Sequence, residues 1–152
     1  MLEVGNSGIS DSEGRSHFAL WCLMKAPLLI GTDITAASAA TLSTLSAPEV
    51  IGVNQDAAGQ QGTLKDQQAN VSQTWSGGLS GGCVALLVIN LQDGAAAHVS
   101  VQWAQIGIAA GARVTVRDLW ARKNLPEATG GLTVTVSLPH DNVMLKLCPA
   151  NI

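Results

Sequence analysis

No stretch of this 152-residue sequence is long and apolar enough to cross a bilayer as a helix. The longest apolar run, Phe18 to Ile30, is broken by Lys25 and Pro27 and falls short of the roughly 20 residues a span requires. Basic clusters are also missing: Lys and Arg total 8, they are scattered, and the net charge is −3. Without that electrostatic footprint, neither nucleic acid nor an anionic membrane is an expected partner. Cysteine is sparse. Cys22, Cys83 and Cys148 lie far apart, with no CxxC pair and no histidine at ligand spacing, which argues against a structural zinc site. All three read as buried small hydrophobes, and their disulfide status stays open. No metal and no cofactor are expected. The opening Met1-Leu2-Glu3-Val4 has no basic region ahead of an apolar one, so as written the chain is expected to carry no signal peptide and its compartment is unknown. Only 12 % of the residues are charged against 47 % apolar, a balance that excludes disorder and a coiled coil. The length allows one domain or a little more.

Two periodicities divide what is present. Met1–Val4 reads as a short strand ending in the Gly5-Asn6-Ser7-Gly8 loop. Ser10-x-x-Glu13 is a capping box that opens a helix through His17, Phe18, Trp21 and Met24 until Pro27 stops it. The second half of that helix is apolar nearly all round, which predicts burial between layers. Leu28-Leu29-Ile30 is a continuous apolar run of the kind found in parallel strands covered on both faces. The order strand, helix, strand is a βαβ unit. A second helix is expected over Ser38–Leu45, and a short third one opened by Ser46-Ala47-Pro48-Glu49, again at capping-box spacing. Two parallel strands alone leave both faces and both edges open, so this unit implies further strands to complete it.

Asp56 to Asn70 is polar, rich in Gln and Gly, and without apolar periodicity, and reads as an interdomain connection. From Val71 onward the period is two. Val99, Val101 and Trp103, then Val114 and Val116, then Leu132, Val134, Val136 and Leu138 alternate with polar residues, as half-buried antiparallel strands do. Val84–Leu91 is apolar on both faces and is expected at the centre of its sheet. About six such strands argue a β-sandwich or a small barrel-like stack. The expected organisation is an α/β region at 1–62, a linker at 63–70 and an antiparallel β-sandwich at 71–152.

Beyond periodicity, three segments closely resemble the C-terminal part of the family 27 glycoside hydrolases, the α-galactosidases or melibiases. They are Met1-Leu2-Glu3-Val4-Gly5-Asn6, Arg15 through Gly31, and Glu49-Val50-Ile51-Gly52-Val53-Asn54-Gln55-Asp56. Leu79–Asn90 and Val114–Trp120 resemble that family's C-terminal β-domain, so the likeness is collinear over essentially the whole chain. It implies the last two β/α units of a (β/α)8 TIM barrel, normally roughly 250 residues, followed by the β-sandwich. It further implies retaining hydrolysis of terminal α-linked galactose by two aspartates on earlier strands. The fold class is therefore α/β plus all-β, and no catalytic residue is carried over onto this chain. Met1 matches the methionine of the family motif Asp-Met-Leu and is the one substrate-binding residue implied. The lone chain is expected to be inactive, a partial product that meets an α-galactoside only together with the missing barrel. Its uncovered apolar faces at Met1–Val4, Phe18–Met24 and Leu28–Ile30 are expected to make it self-associate. Family members are commonly secreted, vacuolar or lysosomal. The sequence departs from the family pattern at Ala57 (commonly Pro), Cys22 (commonly Ala) and Asp141 (commonly Gly), changes expected to touch loop rigidity or packing.

Other chemistry competes at named residues. Asp33 follows the end of a strand, where barrel active sites lie, but a cap or loop role is the plainer reading. Glu3 could meet Asp33 across neighbouring strand ends, although alternation aims it at the helix layer, Lys25 or Arg15. His17 and Cys22 could pair as base and thiol, yet five positions apart on a helix they face different directions. His98 and His140 have no acidic neighbour in sequence and receive no role. Trp75, Trp103 and Trp120 could form a sugar-stacking platform, with core or inter-domain packing the favoured reading. Asn70-Val71-Ser72 satisfies the N-glycosylation sequon, which matters only in a secreted protein. The alternative to an enzyme's C-terminal part is a non-catalytic β-sandwich that binds sugar or packs on a partner. Galactose or N-acetylgalactosamine specificity would be decided upstream.

Overall fold

A computed structural model of the chain describes residues 1–150. Its elements run α1 (Asp11–Leu23), α2 (Ala39–Leu45), α3 (Pro48–Asn54), β1 (Thr63–Gln68), β2 (Ser72–Gly78), β3 (Val84–Asn90), β4 (Ala97–Gln102), β5 (Arg113–Asp118), β6 (Lys123–Thr129), β7 (Gly131–Val136) and β8 (Asn142–Pro149). They stack in three layers. Helices cover one face of a six-stranded antiparallel sheet, ordered β1-β2-β3-β8-β5-β6, and the two-stranded β4–β7 sheet covers the other.

The middle layer explains why β3 is apolar from Val84 to Ile89. Ala85, Leu87 and Ile89 point into the core shared with the helices, and Leu86 and Val88 into the core shared with β4 and β7. On β8, Met144 faces the helices while Leu145 and Leu147 face the second sheet. β4 and β7 cover only one side, so they keep strict alternation: Ala97, Val99 and Val101 inward, His98, Ser100 and Gln102 outward. Trp103 departs from the expected strand. It opens a short 3-10 turn, fully buried, and its indole N–H donates to the Ala112 carbonyl at 2.9 Å. A buried indole needs such an acceptor. Leu138 lies beyond the end of β7 and is exposed.

The capping box forms as the sequence predicts: Ser10 Oγ accepts from the Glu13 amide, and Glu13 Oε2 accepts from the Ser10 amide at 2.8 Å. The second expected box does not form. α3 is capped by Ala47 with no side-chain bond, because the Ser46 hydroxyl turns back to the Leu42 carbonyl and closes α2 instead. The expected linker is also corrected. Thr63–Gln68 is an edge strand paired with β2, exposed at all six positions. An edge strand with no buried side carries no apolar alternation, so polarity alone disguised it as a loop.

The expected strands Met1–Val4 and Leu28–Ile30 contract to a single parallel bridge, Leu2 with Ile30. The Leu2 amide donates to Leu29 O at 2.7 Å and the Gly31 amide to Leu2 O at 3.1 Å. Gly31 is required there, since a Cβ would sit 2.6 Å from Leu2 O. The parallel sense agrees with a βαβ unit, and a pair without flanking strands has too few ladder bonds to extend.

Candidate functional site

The ends of this bridged pair open onto a polar groove whose walls include Asn6, Ser7, Asp11, Thr32, Asp33 and Thr41. Ligand sites of parallel α/β folds sit at such strand ends. Gly5, at φ 85°, turns the chain out of the first segment, and a Cβ there would strike Thr41 Cγ2 at 2.6 Å. Asp33 lies in this groove, fully exposed. Its Oδ1 accepts from the Thr35 hydroxyl at 2.7 Å and from the Thr35 amide at 2.9 Å. Those bonds, the hydroxyl first, hold its carboxyl below the usual range, so it is an ionised turn residue as the plainer reading expected.

Glu3 does not reach Lys25 or Arg15. Its carboxylate accepts from Asn6 Nδ2 and is exposed, while Leu2 and Val4 take the buried face towards α1. Glu3 and Asp33 each engage a local partner and make no bond to one another. Met1 stands on the open side of the bridge, 69 % exposed.

His17 and Cys22 are not a catalytic pair. His17 Nε2 accepts from the Glu3 amide at 3.1 Å, its ring packs on Trp21, and burial lowers its pKa. Burial pushes the Cys22 thiol up to about 12, which leaves no thiolate near neutral pH. The reading of all three cysteines as buried hydrophobes holds for Cys22 alone, because Cys83 and Cys148 form a disulfide between the start of β3 and the end of β8. Cys83 sits one position beyond the Val84–Leu147 pair. Only strand register reveals that juxtaposition.

The tryptophans are not a platform. Trp103 is interior. Trp120 lies beneath the Arg15 guanidinium, 4.3 Å from the ring centroid, and its indole donates to Asn142 Oδ1. Trp75 is half-buried on the helix side of β2. His98 lies on the outer face of β4 beside Thr135, and His140, left without a partner by its sequence neighbours, meets Asp93 at 3.0 Å.

Contacts between the N-terminal segment and the sandwich were the least visible in sequence. Arg15 Nε meets Asp141 Oδ1 at 3.0 Å, and the Ser16 hydroxyl donates to His140 O at 2.7 Å. Arg117 grips Glu49 through two bonds of 3.0 and 2.6 Å. Asp56 Oδ1 accepts from both the amide and the hydroxyl of Ser80. Asp141, expected to affect only rigidity or packing, therefore carries an ion pair between the two regions.

Comparison with known proteins follows the same division. The family model described as alpha galactosidase C-terminal beta sandwich domain matches residues 69–147, and the one described as alpha galactosidase A matches residues 1–56. An alpha-galactosidase of Oryza sativa is 46 % identical over 149 residues, covering 98 % of this chain and 35 % of its own length. The Coffea arabica alpha-galactosidase is 42 % identical, with 98 % and 39 % covered. Among solved structures, alpha-galactosidase I from Mortierella vinacea superposes with a TM-score of 0.91 at 30 % identity, over 99 % of this chain and 38 % of that one. The chain thus spans little more than a third of the length of these relatives.

Proposed function

From the premise that the chain belongs to the α-galactosidase family and corresponds to its C-terminal part, we propose that it serves an α-galactoside hydrolase. In this reading it supplies the last two β/α units of the barrel and the β-sandwich that braces them. The observation that carries the proposal is the parallel Leu2–Ile30 bridge with α1 packed between it and the sheet. A βαβ unit is the repeat of a barrel wall, and its strand ends form the rim where substrate binds.

Met1, on the open side of the bridge, lines the galactose pocket of the assembled enzyme. The thioether offers a polarizable, adaptable apolar contact suited to a pyranose face. Asp33 and Asn6 belong to the polar rim. The chemistry itself needs two carboxyl groups about 5–5.5 Å apart, one attacking the anomeric carbon and one protonating the leaving oxygen. Both are assigned to upstream strands, a reading supported by the engagement of Glu3, Asp33, Glu49, Asp56 and Asp141 in local or inter-region bonds. No cofactor or metal is needed for that chemistry. The sandwich acts by packing, consistent with the core that Leu87, Ile89 and Met144 share with Phe18 and Leu23.

The test is release of nitrophenol from a nitrophenyl α-galactoside. The chain alone is expected to give no turnover, and mixing or fusing it with the upstream barrel segment of the rice relative is expected to give activity. Turnover by the lone chain would overturn the assignment of both carboxylates upstream. Loss of all activity in a fusion that is folded by circular dichroism would overturn the barrel-completing role.

A further inference from the structure

We propose that Asn70 is an N-glycosylation site, modified while the chain enters an oxidising secretory lumen. Two independent observations carry this. The sequon Asn70-Val71-Ser72 occupies the tip of the β1–β2 hairpin, where Gln68 pairs with Ser72 and the Val71 amide donates to Gln68 O at 2.9 Å. Asn70 sits at φ 59°, a left-handed position that Asn tolerates better than most residues. Its side chain is exposed, and its carboxamide makes no hydrogen bond among the described residues. A glycan attached there projects into solvent and displaces nothing from the core. It would also stand beside β1, an exposed sheet edge of the kind prone to pairing with other chains.

The second observation is the Cys83–Cys148 disulfide. Such bonds persist in oxidising compartments, the secretory lumen among them, and are rare where thiols are kept reduced. Sequon and disulfide are unrelated features that call for the same surroundings.

Ser72 fixes the order of events. The acceptor sequon needs its hydroxyl, yet in the folded chain Ser72 is only 1 % exposed and paired on both sides, with Gln68 and Asn90. Modification therefore precedes closure of the hairpin. In the step itself, Asn70 Nδ2 forms a C–N bond to the anomeric carbon of an oligosaccharide carried on a polyprenyl diphosphate. The C–O bond to the diphosphate breaks, the polyprenyl diphosphate leaves with the electron pair, and the amide proton passes to a base of the transferase.

The experiment is translation of the full chain behind a cleavable leader in the presence of endoplasmic-reticulum microsomes, followed by gel mobility with and without peptide N-glycosidase. One enzyme-sensitive shift is expected for the wild type. It should be lost in Asn70→Asp, which keeps the left-handed turn, and in Ser72→Ala, and kept in Ser72→Thr. The same microsomes loaded with chain already folded with its disulfide intact should give no shift. Wild-type chain that is protected from added protease, hence translocated, yet unshifted would overturn the site. Chain that stays fully reduced inside the microsomes would overturn the oxidising route. Because the glycan is added before folding, a variant that folds poorly still reports, and none of these outcomes depends on galactoside hydrolysis.

Discussion

Arg15 and Asp141 stand 126 positions apart, yet their 3.0 Å contact ties α1 to the start of β8. Arg117 and Glu49 do the same for α3 and β5 over 68 positions. The Arg117 bonds hold the Glu49 carboxyl below the usual carboxylate range. A carboxyl depressed on folding stabilises fully above its unfolded pKa, and that contribution disappears as pH falls through the folded value. Glu49→Gln is therefore expected to cost about 1 kcal/mol at neutral pH. The gap from wild type should close as urea midpoints are followed into acid, below the ordinary carboxylate range. Cys22 illustrates the opposite influence, desolvation. With its thiol raised to about 12, it should not react with a disulfide reagent at pH 8 in the native chain. After unfolding in denaturant without reductant, one thiol per chain should be titrated. Rapid native labelling would show that the side chain is not buried.

Among the elements, those with a strong local signal are as the sequence predicts. α1 starts at its capping box and stops short of Pro27, and β3 lies at the sheet centre because both its faces are apolar. β1 was not legible, since an edge strand exposed on both sides has no period to read. The disulfide belongs to this scale as well. It closes a 65-residue loop between the β3 and β8 ends, and chain-entropy arguments give such a loop about 4 kcal/mol. Reduction, or Cys83→Ala with Cys148→Ala, should lower stability by about 2–4 kcal/mol in urea titrations. An unchanged midpoint would mean the bridge adds nothing beyond the strand pairing it accompanies.

For the whole molecule, one apolar surface finds cover and another does not. Phe18, Ala19, Cys22 and Leu23 were expected to be left open, but the sheet buries them to 1 % exposure or less, and Leu2 and Val4 join the same core. Met1, Leu29 and Ile30 on the bridged pair remain exposed, with Ile34 nearby in sequence. Unpaired strand edges and apolar side chains together favour association. The isolated chain is expected to sediment above monomer mass with concentration dependence, and Leu29→Lys with Ile34→Lys to shift it towards monomer. A monodisperse wild-type monomer would contradict this.

Sequence alone determined what depends on neighbours along the chain: the capped first helix, the alternating strands, the buried central strand, and the collinear motifs that mark the family. It also placed Asp33 in a turn and Trp103 in the core, because local bonding and hydrophobicity suffice for both. Tertiary structure alone decided which distant residues meet. The Cys83–Cys148 bond, the Arg15–Asp141 and Glu49–Arg117 ties, the pairing of β1 and the cover over α1 all join segments whose proximity is set by strand order and register. Those long-range contacts are energetically specific but leave no periodic trace in the residues that make them.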